Sequence, residues 1–157
     1  MPDVQRNQTM KGLTFALSTG AVSVAGSAKL LMRLSNPAGS AKDFALEYCI
    51  ATGANYGIFE IRLNPTQVGT FTSATPINTN TAFTGGSVIT ASTANGATVD
   101  LTGGSLISGE YVPNGSRAVT EFNGRVVVTP NNSIGFGLTP SGANTYSITV
   151  IWTEAPR

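Results

Sequence analysis

Tyr146–Thr153 reads YSITVIWT, and this stretch decides the fold class. Tyr146, Ile148, Val150 and Trp152 alternate with Ser147, Thr149, Ile151 and Thr153. A period of two, with the larger side chains on one face, is a half-buried β-strand rather than a helix. The pattern recurs upstream. In Asp43–Ala51 (DFALEYCIA), Phe44, Leu46, Tyr48 and Ile50 alternate with smaller residues. In Tyr56–Leu63, Phe59, Ile61 and Leu63 oppose Glu60 and Arg62. The intervening Thr52–Asn55 (TGAN) reads as a tight turn, so these two strands are expected to form a hairpin. Phe44, Tyr48, Phe59, Ile61, Ile148, Val150 and Trp152 form the expected core.

Further strands are expected at residues 28–34, 87–92, 98–102, 106–112, 121–129 and 133–138, with a bulge or kink at Gly124. Turn residues recur about every 8–12 positions, as in a sandwich or barrel. Leu13–Ala25 is apolar but broken at Gly20. It reads either as two short strands or as one strand and an extended tail. Residues 1–12 are polar, and with 13–25 they are expected to form an N-terminal arm. No helix is apparent. One segment, Arg62–Gly86, is long, nearly uncharged and rich in Thr and Asn. A ligand-binding loop, a linker and a subunit contact all suit it.

Composition narrows the function. The 157 residues suit one domain. Only 11% are charged, against roughly 25% in ordinary soluble domains, while 41% are hydrophobic. Charge on edge strands guards against edge-to-edge pairing. A chain this poor in charge needs edges that are short and bulged, or edges covered by other subunits. The net charge of +1 and the scattered Lys and Arg residues speak against nucleic-acid binding. The lone Cys49 forms no intrachain disulfide. Met10–Ala28 loosely imitates a signal peptide, but Thr, Ser and Gly interrupt it and none is expected. No apolar run is long enough to span a membrane.

The sequence contains no histidine, which excludes His-based triads and His metal ligands. Cys49, on the small-residue face of its strand, is expected to be an inert packed side chain. Glu47 and Glu60 would adjoin across the expected hairpin; cross-strand ion pairs with Lys42 and Arg62 account for them better than a glycosidase-like pair. Asp3, Asp43 and Asp100 are isolated, without calcium-loop spacing. Tyr56, Tyr111 and Tyr146 at strand ends, with Phe71 and Phe83, are the residues available for stacking on sugars. No catalytic, cofactor-binding or metal-binding residue is assigned.

Several stretches together carry a resemblance. They are LSNPAGSAKDFALEYCIATGANYGIFEIRLNPT (34–66), GTFTSATPINTNT (69–81), GEYVPNGSRAVTEFNGRVVVTPNNSIGFGLTPSG (109–142) and YSITVIWTEAP (146–156). This pattern of Asn-Pro turns, a Pro-Asn-Gly-Ser corner and a closing strand with Trp then Glu resembles structural proteins of tailed-bacteriophage virions. The resemblance implies a jelly-roll β-sandwich, a homotrimer, and a place on the capsid exterior against the major capsid protein. In such a fold the Arg62–Gly86 segment would bridge the sheets, with Phe71, Ile77 and Phe83 as pegs into the sandwich.

The expectation is therefore an all-β, antiparallel, jelly-roll-like sandwich over 26–157 with an extended arm over 1–25. The expected function is a non-enzymatic, trimeric capsid decoration (cement) protein, without cofactor, nucleic acid or membrane. The alternative is the receptor-binding domain of a phage fibre or tail tip that recognises a host glycan.

Overall fold

The computed structural model describes residues 2–157, with side chains from residue 6 onward. A helix, α1 (Pro2–Met10), precedes the strands β1 (Thr14–Ser18), β2 (Val22–Val24), β3 (Lys29–Asn36), β4 (Lys42–Gly53), β5 (Gly57–Leu63), β6 (Thr66–Val68) and β7 (Thr72–Ala74). There follow β8 (Ile77–Asn78), β9 (Thr90–Gly96), β10 (Asp100–Thr102), β11 (Ser105–Val112), β12 (Ser116–Val128), β13 (Asn132–Pro140) and β14 (Asn144–Pro156). The first sheet runs β12-β4-β14-β1-β8, with β2 also on β14. The second runs β11-β5-β13-β3-β9-β7. All the pairings are antiparallel, and the two sheets enclose one continuous core in a sandwich-like arrangement.

The alternation in the last strand is realised side chain by side chain. Tyr146, Ile148, Val150 and Trp152 are buried and their neighbours point outward. β14 lies at the centre of its sheet, with β4 on one side and β1 and β2 on the other. The Trp152 ring has its centroid 6.2 Å from that of Phe15 and 6.4 Å from that of Phe44. Residues 14–24 are therefore part of the sandwich, which corrects the expected boundary at 25/26. The break at Gly20 (φ +67°) divides them into two short strands along one edge of β14. The physical reason is plain: Phe15, Leu17 and Val24 carry apolar area that the core accepts. The polar residues 2–10, read from sequence as extended, form α1.

The expected hairpin is also corrected. β4 lies between β12 and β14, whereas β5 lies between β11 and β13. Residues 54–56 thus carry the chain from one sheet to the other. Periodicity records which face of a strand is buried, but not which sheet it joins.

A bulge then changes the phase of β4. Leu46 pairs with Trp152, and Tyr48 with Ile151, so Glu47 is an extra residue. On the other side, residues 122–125 of β12 loop out between Glu121 and Val126, with Asn123 (φ +49°) and Gly124 (φ +74°) at the tip. The expected irregularity at Gly124 is present. Its consequence was not foreseen: Phe44 and Leu46 face inward, but beyond the bulge Cys49, Ala51 and Gly53 do, while Tyr48 and Ile50 face outward. Small residues are required inside here because Tyr146, paired with Gly53, fills the space that a Cβ at Gly53 would occupy. Tyr48 is the one expected core residue that lies outside.

On the second sheet, a ribbon of β6 and β10 covers part of the outer face. Leu31, Ala94, Val99 and Leu101 form a small second core there, against which Phe71 packs. Leu101 reaches over Gly135, where a Cβ would lie 2.7 Å from its side chain. Lys29 donates to Asp100 at 2.6 Å and fastens the ribbon. Burial pushes the Asp100 carboxyl up, but hydrogen bonds from Lys29 and the Leu101 N–H, with the Lys29 and Arg62 charges, hold it below the usual carboxylate range. The peg expectation is corrected: Phe71 serves this outer cluster, and Ile77 and Phe83 are exposed.

The sheet edges are short or bulged. β8 has two residues and β7 three, β11 is irregular between Leu106 and Ser108, and β12 loops out at 122–125. These devices blunt an edge without charge or covering subunits. Sparse charge therefore ceases to be an argument that partners must cover the edges.

The membership of β1 in the sandwich is testable. Phe15→Ala is expected to destabilise the protein by about 3–5 kcal/mol, as is Trp152→Ala. Chemical denaturation measures both. A Phe15→Ala protein as stable as wild type would return residues 14–24 to the status of an arm.

Candidate interaction site

The Thr/Asn-rich segment converges on the C-terminal end of α1. A nine-residue helix is marginal by itself, so its order depends on what holds its ends. Gly12 (φ +68°) ends it in a Schellman arrangement, with Gly12 N–H donating to Thr9 O at 2.9 Å and Leu13 N–H to Gln8 O at 3.1 Å. The Asn80 amide then donates to Thr9 O (3.1 Å) and Met10 O (3.2 Å), and the Asn78 amide to Gly12 O (2.8 Å). The Thr79 hydroxyl donates to Thr14 O at 3.1 Å. Phe83 lies against Gly12, where any Cβ would collide with its ring. The segment's amides and hydroxyls thus clamp α1 to the start of β1. The residues responsible, Gly12, Asn78 and Asn80, were not singled out from sequence. A signal was there: Pro2 at the first helical position and Gly12 just past the last are a helix start and stop.

Beside the clamp, on the outer face of the first sheet, is a hollow of about 250 Å³ lined by Thr9, Thr14, Glu47, Tyr48, Thr79, Ile151 and Thr153. Thr153 donates to Glu47 Oε1 at 3.1 Å, and Thr9 to the Thr14 hydroxyl at 3.1 Å. From this hollow an apolar row crosses the sheet, each residue directly paired with the next: Tyr48, Ile151, Ala16 and Ile77. Val119 and Ile50 form part of the adjoining row. Charges on this face include Glu47, within the bulge, Asp43, paired with Arg157 at 3.3 Å, and Arg117, Glu121 and Arg125, along β12 at one edge. Farther along the same face, Thr52, Ser116, Arg117, Thr145 and Ser147 line an open depression of about 550 Å³.

The remaining candidates from the sequence are dispersed. Glu47 and Glu60 belong to different sheets, so the carboxylate pair does not form; nor do the expected cross-strand ion pairs, since Arg62 pairs with Glu60 on its own strand (3.4 Å) and Lys42 with Glu154 (3.4 Å). Glu154 is fully buried. It accepts hydrogen bonds from Ser87, from Trp152 Nε1 (3.3 Å) and from the Val88 N–H (3.3 Å), pinning residues 87–88 across the end of the sandwich. Cys49 is buried, and desolvation pushes its thiol up to about 12, away from the thiolate that reactivity needs. Tyr146 is buried, its hydroxyl donating to Gly142 O at 3.1 Å and its own pKa raised by desolvation. Tyr56 and Tyr111 are exposed near Ile58 on the second sheet.

Among the described residues no group of three or more His, Cys, Asp or Glu is placed to hold a metal ion, and no helix is long and apolar enough to cross a membrane. No protein-family model matches the chain, and no curated protein is significantly similar to it.

The clamp makes a specific prediction. Asn80→Ala removes two hydrogen bonds from the helix end but touches no core residue. Amide exchange at Gly12 and Leu13 should accelerate roughly tenfold, with the global melting temperature nearly unchanged. Unaltered exchange there would show that Asn80 does not hold α1.

Proposed function

We propose that this protein is a non-enzymatic structural component of a virion, a capsid decoration (cement) protein of jelly-roll type that acts as a homotrimer on the capsid exterior against the major capsid protein. The observation that carries the reading is the pairing of a charge-poor sandwich with a helix whose C-terminal end is clamped to it. The sandwich supplies a fixed shape, and α1 supplies a separate element to engage a neighbour. Attachment would bury apolar and neutral polar surface across adjoining shell subunits, and the bridge would oppose the outward pressure of packaged DNA. In this reading the anchoring element is α1 with its clamp, rather than the whole of residues 1–25.

One observation favours the alternative of a receptor-binding domain. Tyr56 and Tyr111 are 55% and 75% exposed, and aromatic rings displayed beside polar groups suit the faces of sugars. The depression around Arg117 and Ser116 would add hydroxyl partners. A fibre or tail-tip protein that recognises a host glycan would use such a surface.

The two readings separate in a binding experiment. Purified protein is mixed with undecorated capsids and sedimented, in parallel with a protein lacking residues 2–12. The full chain should co-sediment and raise the temperature at which the shells rupture, and the shortened chain should fold but bind at least tenfold more weakly. No binding to shells, together with binding to host surface glycans that Tyr111→Ala abolishes, would replace the cement reading with the alternative.

A further inference from the structure

We propose that the outer face of the first sheet is where a second copy of this chain packs. This deepens the assembly part of the proposed function by naming the surface that joins the copies. An antiparallel sheet with one face in water ordinarily shows polar residues there. The bulge at Glu47 reverses that arrangement, turning Tyr48 and Ile50 outward to lie beside Ile151 and Val119, with Ile77 at the far end 65% exposed. The β6–β10 ribbon covers part of the outside of the other sheet, where Ile58 and Tyr111 remain exposed; among the described residues no strand lies over the outer face of the first sheet.

Size and charge both point to a copy of the same chain as the occupant. Roughly seven residues on each of β12, β4 and β14, with the five of β1 and the two of β8, at about 4.8 Å between strands and about 3.3 Å per residue, give a face on the order of 450 Å² in plan. That is about half of the roughly 800 Å² each partner contributes to a stable interface. The apolar rows carry no charge; Glu47, in the bulge beside Tyr48, accepts a hydrogen bond from Thr153, and the β12 edge carries both signs, in Glu121 and in Arg117 and Arg125. An apolar centre with a mixed-sign rim is the ordinary anatomy of a protein–protein interface. It also lets one copy approach another without repulsion between like charges, whereas a face of one sign would favour an oppositely charged partner.

The test uses the full chain in light scattering and sedimentation equilibrium at micromolar concentration. Wild type should show a multiple of 16.1 kDa. Ile50→Lys and, separately, Ile77→Lys should weaken self-association by ~100-fold or more, since each sets an unpaired charge against the partner, and return the mass to that of one chain. Ile77 is exposed on a two-residue strand, so its replacement remains informative if Ile50→Lys fails to fold. Tyr111→Lys, on the opposite sheet, should leave the mass unchanged. A wild-type monomer throughout this range overturns the inference. So does an assembly that survives Ile77→Lys but is lost in Tyr111→Lys. Shell binding is measured separately: an assembly that dissociates as described but binds no shell contradicts the cement reading and leaves this inference standing.

Discussion

The structure depends on one strand having neighbours on both sides. β14 is hydrogen-bonded to β4 along eleven paired positions and to β1 along five, and Trp152 occupies the junction between the aromatic residues that those two strands supply. Any path that leaves out β1 opens the side of Trp152 that Phe15 covers. Large buried aromatic side chains dominate core energetics because each removes so much apolar surface from water. The N-terminal segment is therefore drawn into the sheet by Phe15 and Leu17, despite Gly20 and the small residues around it.

That constraint determines what is left for function. Once residues 14–24 are used by the sandwich, only α1 and the outer surfaces remain available to a partner. The Glu47 bulge then shapes one of those surfaces. Without the extra residue, Tyr48 and Ile50 would point into the core, where Tyr146 and its neighbours leave space only for Cys49, Ala51 and Gly53. With it, the core closes over small residues and the large ones become available outside. A single inserted residue thus links core packing to the surface chemistry of the whole face.

The alternation of Tyr146–Trp152 could be read directly from the sequence, as could the burial of Phe44, Phe59 and Ile61 and the irregularity at Gly124, because these depend on local pattern. Three features could not. Periodicity does not say that residues 54–56 change sheets, since a tight turn and a crossover use the same Gly and Asn residues. It does not reveal the phase change at Glu47, which arises from pairing with β12 and β14. It does not place Leu13–Ala25, whose small and polar residues dilute the signal from Phe15 and Leu17. For the candidate site, the composition of Arg62–Gly86 indicated hydrogen-bonding capacity, but only the fold brings Asn78 and Asn80 to the carbonyls at the end of α1. Tyr56, Tyr111 and Tyr146 all stood at strand ends as aromatics available for stacking, and burial with a hydrogen bond to Gly142 removes the last from that set.

The central claim, that the N-terminal strand folds as one unit with β14 and leaves α1 alone as the separable element, is open to native-state hydrogen exchange. If the account is right, the hydrogen-bonded amides of β1 exchange with the same free energy as those in the middle of β14, at the limit set by global unfolding, while the α1 amides exchange through a much smaller opening. Amides of β1 that open together with α1, several kcal/mol below the β14 limit, would contradict it.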